Sequence, residues 1–349
     1  MSATLDSSPP RRVRPRQRRR RRNLIRVGIA LGVVALLLGA VVAGGAVIYH
    51  NVVGRNLTTV PDAQVFPTGE RPAPVDGARN ILLIGSDSRG AADEADLESA
   101  GARRSDVLML VHVPADHKHV SVMSIMRDLW LPVPGHGDAK VNAALAWGGT
   151  PLTIQTVEKY LGVRIDHVAA IDFAGLADMT TALGGVYVDN PAAFTSTATD
   201  RPEPHYFAQG QIELKGQTAL SFVRERKAFP TGDFQRVRNQ QLLLKGILDR
   251  AISRDVLRDP RQLADFASEM SKSLTVDSGF TLPAMASLAY SLRGIDSRDI
   301  SFFTAPTAGT GTSPDGQSIV KTDPAATERL RAALRSDTVT DFEKTLTTS

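Results

Sequence analysis

The run VGIALGVVALLLGAVVAGGAVIY holds 23 consecutive residues, 27–49, without a charge. At a rise of ~1.5 Å per residue a helix of that length reaches about 35 Å, enough to cross a hydrocarbon core of roughly 30 Å with some tilt. A bilayer offers backbone amides no water, so a single span must be helical. The competing reading is a cleaved secretory leader. Its apolar stretch is usually only ~7–15 residues, and no small-residue cleavage site follows a short run here. The segment therefore reads as an uncleaved signal-anchor. Ten arginines between Arg11 and Arg26 precede it, against one acid, Asp6. The positive-inside rule keeps that block cytoplasmic and sets residues 50–349 on the outer face of a cell membrane, as a single-pass protein.

This block distorts the overall charge. The chain carries +4, but the first 26 residues account for +9, leaving −5 for the rest. A mildly acidic ectodomain lacks the basic footprint of a nucleic-acid-binding domain, so no nucleic-acid partner is expected. The chain has no cysteine, so the outer part must be stable on its core alone, which its length allows.

After the apolar run, residues 50–77 contain Pro61, Pro67, Pro72 and Pro74 and few apolar clusters, and read as a linker. From about residue 78 to 345, strand and helix patterns interleave without a second linker, which predicts one α/β domain. Short apolar runs at 81–85, 106–113, 119–126, 167–172, 186–188 and 300–305 read as strands. Helical spacing predicts helices over 151–162, 173–185, 215–227, 234–253, 260–271, 281–293 and 324–335, and the stretch 189–212 reads as a loop.

Arginines recur beside these apolar segments. Arg104, Arg127, Arg224, Arg226 and Arg236 all flank one, each with an acid close by. A guanidinium cannot shed its proton, so burying it requires an anionic partner. Asp106, Asp128, Glu225 and Asp233 would supply structural salt bridges. A phosphate ligand is the alternative, since guanidinium forks match phosphate oxygens bidentately. Arg224 and Arg226 point the same way if the chain there is extended and apart if it is helical. Asp233, Arg236 and Gln240 fall on one helix face. Asp87 follows one predicted strand and Asp106 opens the next, where an α/β sheet holds ligands. Two such carboxylates suit Mg²⁺, although turn formation is an equal role for "SDSRG". Lys140 and Asn142 precede a small-residue helix, where lining a substrate site and capping are both open. The motifs of a zinc protease, an α/β-hydrolase elbow and a Walker loop are absent from the sequence.

The stretches NILLIGSDSRG, RRSDVLMLVHV, SVMSIMRDLWLPVPGHGDAKVNAALAWGG, GLADMTTALGGVYVD, GQTALSFVRERK and GDFQRVRNQQ occur in the order and spacing of one known family. In these blocks, covering most of residues 79–250, the chain resembles the LytR-CpsA-Psr envelope enzymes. It departs from them at Met126 and Leu129, where proline and a small polar residue are commoner. The resemblance implies a central mixed sheet flanked by helices, with an apolar groove for a polyprenyl chain. It implies a phosphotransferase that moves a glycan phosphate from a polyprenyl-pyrophosphate donor onto a peptidoglycan hydroxyl. Carried over by motif, Asp87 and Asp106 would hold Mg²⁺. Arg104, Arg127, Arg224, Arg226, Arg236 and Gln240 would clamp the pyrophosphate, and Asp233 would orient or deprotonate the acceptor. A pyrophosphatase using water, a membrane-bound transcriptional attenuator and a non-catalytic lipid-binding protein are the rival readings.

Overall fold

A computed structural model of the chain describes residues 57–86, 105–197, 204–230 and 232–346. The arginine block, the apolar run 27–49, Asp87 and Arg104 lie outside the described residues. No helix among the described residues is long and apolar enough to cross a membrane.

A seven-stranded mixed sheet organises the domain. Its strands are β1 (Thr58–Val60), β2 (Arg79–Ser86), β3 (Ser105–Val113), β4 (Val120–Ile125), β7 (His167–Asp172), β12 (Leu274–Asp277) and β13 (Ile300–Thr304). They lie in the order β1-β12-β7-β2-β3-β4-β13. β2, β3 and β4 form an antiparallel meander, while β2–β7, β4–β13 and β1–β12 pair in parallel. β4 is buried at all six positions. Burial on both faces demands a near-continuous apolar run, which is what Val120, Val122, Met123 and Ile125 supply.

One sheet face, carrying Leu82, Ile84, Leu108, Leu110, Met123 and Ile125, packs against two helices. The first is α2 (Val141–Leu161), through Ile154, Val157 and Leu161, and the second α9 (Pro324–Arg335), through Leu330 and Leu334. α2 is two helical pieces joined at Gly148–Gly149, where Gly149 has φ 63° and ψ −156°. Only glycine adopts that backbone cheaply, and Pro151 then restarts the helix near its first turn. The opposite face packs on α8 (Leu282–Ser291), through Met285 and Leu288. A separate apolar cluster centred on Phe222 joins α3 (Phe173–Ala182), α4 (Gln217–Arg224), α5 (Gly232–Ala251), β8 (Val186–Asn190) and β11 (Gly210–Leu214).

Two expectations need correction. The stretch 50–77 is not a free linker where it is described. β1 extends the central sheet, and Val60, with Val65 of the helical turn α1 (Asp62–Val65), is buried in the main core. Arg71 then clamps this segment down, donating from Nη2 to Glu158 Oε1 at 2.6 Å and to the Ile165 carbonyl at 2.6 Å. The described domain thus begins at residue 57 instead of 78. The stretch 189–212 is not a plain loop: β9 (Phe194–Thr195) pairs with β10 (Tyr206–Phe207), and β11 pairs with β8. Strands of two or three residues are too short to carry a periodicity signal, and tertiary pairing alone defines them.

Candidate functional site

β2 and β4 run in the same direction, so the end of β2, the start of β3 and the residues after β4 meet at one end of the sheet. The ladder there is irregular. Gly85 pairs with Val107 and Ser86 with Ser105, which leaves Asp106 as the extra residue of a β-bulge. Bulges of this kind break the ladder and re-aim a side chain beside functional sites. The backbone therefore brings Asp106 and Ser86, the last residue of β2, to the same sheet end. The side chain of Asp106 lies outside the description.

Past β4 the sequence reads Met126–Arg127–Asp128–Leu129. Met126 and Leu129 are buried in the main core and lock the charged pair between them. Three further bonds fix this turn: Asn142 N–H donates to the Arg127 carbonyl at 3.1 Å, Val141 N–H to Leu129 at 2.9 Å and Val320 N–H to Asp128 at 2.9 Å. The family departures Met126 and Leu129 thus serve as apolar anchors on either side of Arg127.

α5 brings the second half. Asp233 lies in its first turn, where a carboxylate suits the helix dipole. Arg236 and Gln240 follow on the same face and are only 6% and 5% exposed. Asp233 is the hub. Its Oδ2 receives Arg127 Nη2 at 3.2 Å, while its Oδ1 faces Arg236 Nη2 at 3.2 Å and Arg226 Nη1 at 4.0 Å. Asp128 sits against the hub, with Lys140 Nζ 3.4 Å from its Oδ1 and Arg127 Nε 3.7 Å from its Oδ2.

Two neighbouring carboxyls cannot both ionise cheaply, and their surroundings separate them. Burial, helped by the hydrogen bond to Asp233, pushes the Asp128 carboxyl above the ordinary range despite Arg127 and Lys140. Burial acts upward on Asp233 too. There Arg236, Arg127 and the hydrogen bond from Asp128 outweigh it and hold Asp233 below the ordinary value. Asp128 is therefore the weaker acid of the pair and Asp233 the stronger.

α4 stops at Arg224, and Glu225 is already extended, with φ −68° and ψ 130°. Glu225 turns inward and is 1% exposed, with Arg224 and Arg226 on either side of it. Its carboxylate accepts the Thr197 N–H and hydroxyl and the Ala228 N–H, the last at 2.9 Å. Burial would raise its pKa, but these donors more than offset that and lower it.

The structure thus brings together Arg127, Arg226, Asp233, Arg236 and Lys140, with Arg224 at the neighbouring helix end and Gln240 one helical turn past Arg236. Asn142 contributes its backbone. It does not cap α2, because Lys140 occupies the capping position. Both amide atoms of Gln240 are buried without a hydrogen-bond partner among the described residues, where buried polar atoms are ordinarily paired. Sequence reasoning treated Asp128 and Glu225 as mere salt-bridge partners. Their signal was local: an acid beside each arginine, flanked by buried apolar residues.

The model of the LytR_cpsA_psr family matches residues 56–336. The chain belongs to this family. A polyisoprenyl-teichoic acid–peptidoglycan teichoic acid transferase TagU of Enterococcus faecalis is 29% identical over 316 residues, covering 88% of this chain and 95% of that protein. The TagU of Bacillus cereus is 32% identical over 226 residues, covering 62% and 69%. Among solved structures, B. subtilis TagV superposes with a TM-score of 0.61 at 26% identity, covering 75% of this chain and 97% of that one. The α/β architecture with a central mixed sheet is that of this family, and the chain is a transferase enzyme.

Proposed function

We propose that this family member transfers a glycan phosphate from a polyprenyl-pyrophosphate carrier to a hydroxyl of peptidoglycan, on the outer face of the membrane in which residues 27–49 anchor it. The coarser reading, glycopolymer transfer to peptidoglycan, is supported by relatives named for that reaction. The observation that carries the finer one is the cluster itself. Arg127, Arg226, Arg236 and Lys140 converge on two carboxyls, and one of those holds its proton above the ordinary range. That leaves a net positive, partly enclosed site, which suits an oligoanion such as pyrophosphate.

In the proposed reaction the acceptor hydroxyl oxygen bonds to the phosphorus next to the glycan. The bond from that phosphorus to the oxygen of the carrier's phosphate breaks, with its electron pair leaving on polyprenyl phosphate. The glycan keeps one phosphate as a diester to the wall. Phosphoryl transfer depends mainly on positioning and charge, so the guanidinium groups carry most of the catalysis. Asp233 aligns them before substrate arrives, orients the hydroxyl and takes its proton late in the transfer. Gln240 would hydrogen-bond a phosphate or sugar oxygen. Asp87 and Asp106 are oxygen donors of the type Mg²⁺ takes, and the bulge at Asp106 suits that role. When bound, the ion would neutralise charge on the phosphate oxygens.

The test incubates full-length protein in detergent with a synthetic polyprenyl-pyrophosphate-linked glycan, Mg²⁺ and insoluble peptidoglycan. Equal amounts of wall-bound glycan phosphate and free polyprenyl phosphate are expected, and EDTA should suppress both. Release of polyprenyl phosphate with no glycan on the wall would establish the pyrophosphatase instead. Retention of donor without turnover would establish a binding protein.

A further inference from the structure

At the end of the sheet away from the charged cluster, a cavity of about 490 Å³ opens between α8 and the starts of β2 and β7. β2 separates the two ends, running from Arg79 here to Ser86 beside the bulge, about 23 Å at ~3.3 Å per residue. Strand register brings the lining together. Ile81 pairs with His167 in the parallel β2–β7 ladder, so Arg79 and His167 fall on one sheet face as diagonal neighbours. The turn after β3 closes in from the side. A Cβ on Gly77 would lie 2.7 Å from the Ala115 Cβ, so glycine is what permits that approach, which carries His117 to the cavity wall.

The charged and titratable groups facing this space are all basic. Arg79 is exposed and donates from Nη1 to the Ala78 carbonyl at 2.7 Å, and among the described residues it forms no ion pair. His167 is held rigidly. Its Nδ1 lies 3.1 Å from Asp277 Oδ2, and its ring stacks on Phe280 with centroids 4.4 Å apart. Asp277 is 1% exposed and its other oxygen accepts the Val168 N–H at 2.7 Å, so this acid sits behind the ring, closed to the cavity. The pairing fixes a proton on Nδ1 and leaves Nε2 as the ring's remaining polar atom. Ser287 on α8 adds a hydroxyl, and among the described residues no carboxylate lines the cavity.

We propose that this cavity binds an oxyanion, a phosphate ester or a carboxylate, with Arg79 as the fixed charge and His117, His167 and Ser287 as hydrogen-bond donors. A guanidinium outside any ion pair meets two oxygens of such a group with its planar fork. His167 donates from Nε2 when it takes a second proton, which the carboxylate behind it compensates. A metal cation would meet the charge of Arg79, and a neutral sugar would leave that charge unanswered. Phe280 and Leu288 form an apolar wall for the carbon next to the anionic group, and the volume falls in the roughly 300–1,000 Å³ range of small-molecule sites. This site stands a strand length from the Asp233 hub and does not rest on the proposed reaction.

The experiment titrates full-length protein in detergent with inorganic phosphate and, separately, with acetate, by calorimetry. The charged cluster also takes phosphate, so two binding events are expected, and variants assign them. Arg79→Gln should weaken one event by about tenfold and leave kcat for transfer unchanged. His117→Asn, which tolerates the left-handed φ of 53°, should weaken the same event several-fold. Arg127→Ala should weaken the other event alone. In protein isotopically labelled in histidine, phosphate should shift the ring resonances of His117 and His167 in the wild type and not in Arg79→Gln. Tighter binding of phosphate than of acetate here identifies a phosphate ester, and the reverse a carboxylate. If neither anion moves the two rings, or if Arg79→Gln leaves every binding event unchanged, the inference fails while the proposed reaction stands.

Discussion

Arg127 and Asp233 are 106 residues apart in sequence, and Arg127 Nη2 lies 3.2 Å from Asp233 Oδ2. One comes from the turn after β4 and the other from the first turn of α5. Their contact welds the main sheet to the helix that also carries Arg236 and Gln240. An arrangement with more guanidinium than carboxylate is costly for a stable fold and useful for an anion, so its members should be judged by activity more than by stability.

Arg127→Ala should reduce kcat for transfer by about 10²–10³, the usual cost of removing one donor that stabilises developing charge. Arg127→Lys should recover only part, because an ammonium cannot reach Asp233 and a phosphate with a planar fork. Steady-state transfer assays check both. An Arg127→Lys enzyme with wild-type kcat would remove Arg127 from the clamp.

Asp128 and Asp233 predict opposite pH trends. Asp128 is raised in the folded protein, so its contribution to stability is present below its unfolded pKa and disappears as pH rises through its folded value. Asp233 is lowered, so its contribution is present above its unfolded pKa and disappears as pH falls through its folded value. Asp128→Asn keeps a donor toward Asp233 without a charge. It should stabilise the protein slightly near neutral pH, by less than about 1 kcal/mol for this partly exposed group. The gain should vanish in acid, where wild-type Asp128 is protonated anyway. Melting curves across the acid range test this, and a gain that grew with falling pH would reverse the assignment of the proton.

Glu225→Ala would remove the buried acceptor of the Thr197 and Ala228 N–H groups, of which Thr197 is exposed and Ala228 half-buried. Water can replace part of that pairing, so a loss of about 1–2 kcal/mol is expected. Glu225→Gln, which still accepts, should recover roughly half. Chemical denaturation reads the first effect, and donor KM should rise in both variants as the arginines lose their support.

Gln240→Met replaces two buried, unpartnered amide atoms with an apolar side chain of similar volume. Stability should be unchanged or higher by about 1 kcal/mol, because no protein hydrogen bond is lost. Donor KM should nevertheless rise several-fold. If thermal stability fell sharply and donor KM did not move, Gln240 would be a structural residue.

The central strands were legible because burial on both faces leaves no freedom in composition. The expected strand at 300–305 is observed as Ile300–Thr304, and the expected helix at 324–335 as Pro324–Arg335. The helix expected over 215–227 ends early, at Arg224. Helical spacing continued into "RERK", but Glu225 finds better partners in Thr197 and Ala228 than a further helical turn could give it. The edge strand Thr58–Val60 was hidden because three residues acquire strand character only by pairing with β12.

The sequence alone determined which residue types could form a site here: arginines set against apolar segments, each with a local acid, in an order shared by one family. It did so because desolvation makes an isolated guanidinium beside a buried segment too costly to occur by accident. Tertiary structure decided which of Asp128 and Asp233 is the weaker acid and that Arg127 joins the Asp233 hub. The decisive contacts, such as Arg127 with Asp233 at 3.2 Å, join residues a hundred or more positions apart. No local pattern encodes them, since each is fixed by how the sheet, α2, α5 and α9 pack together.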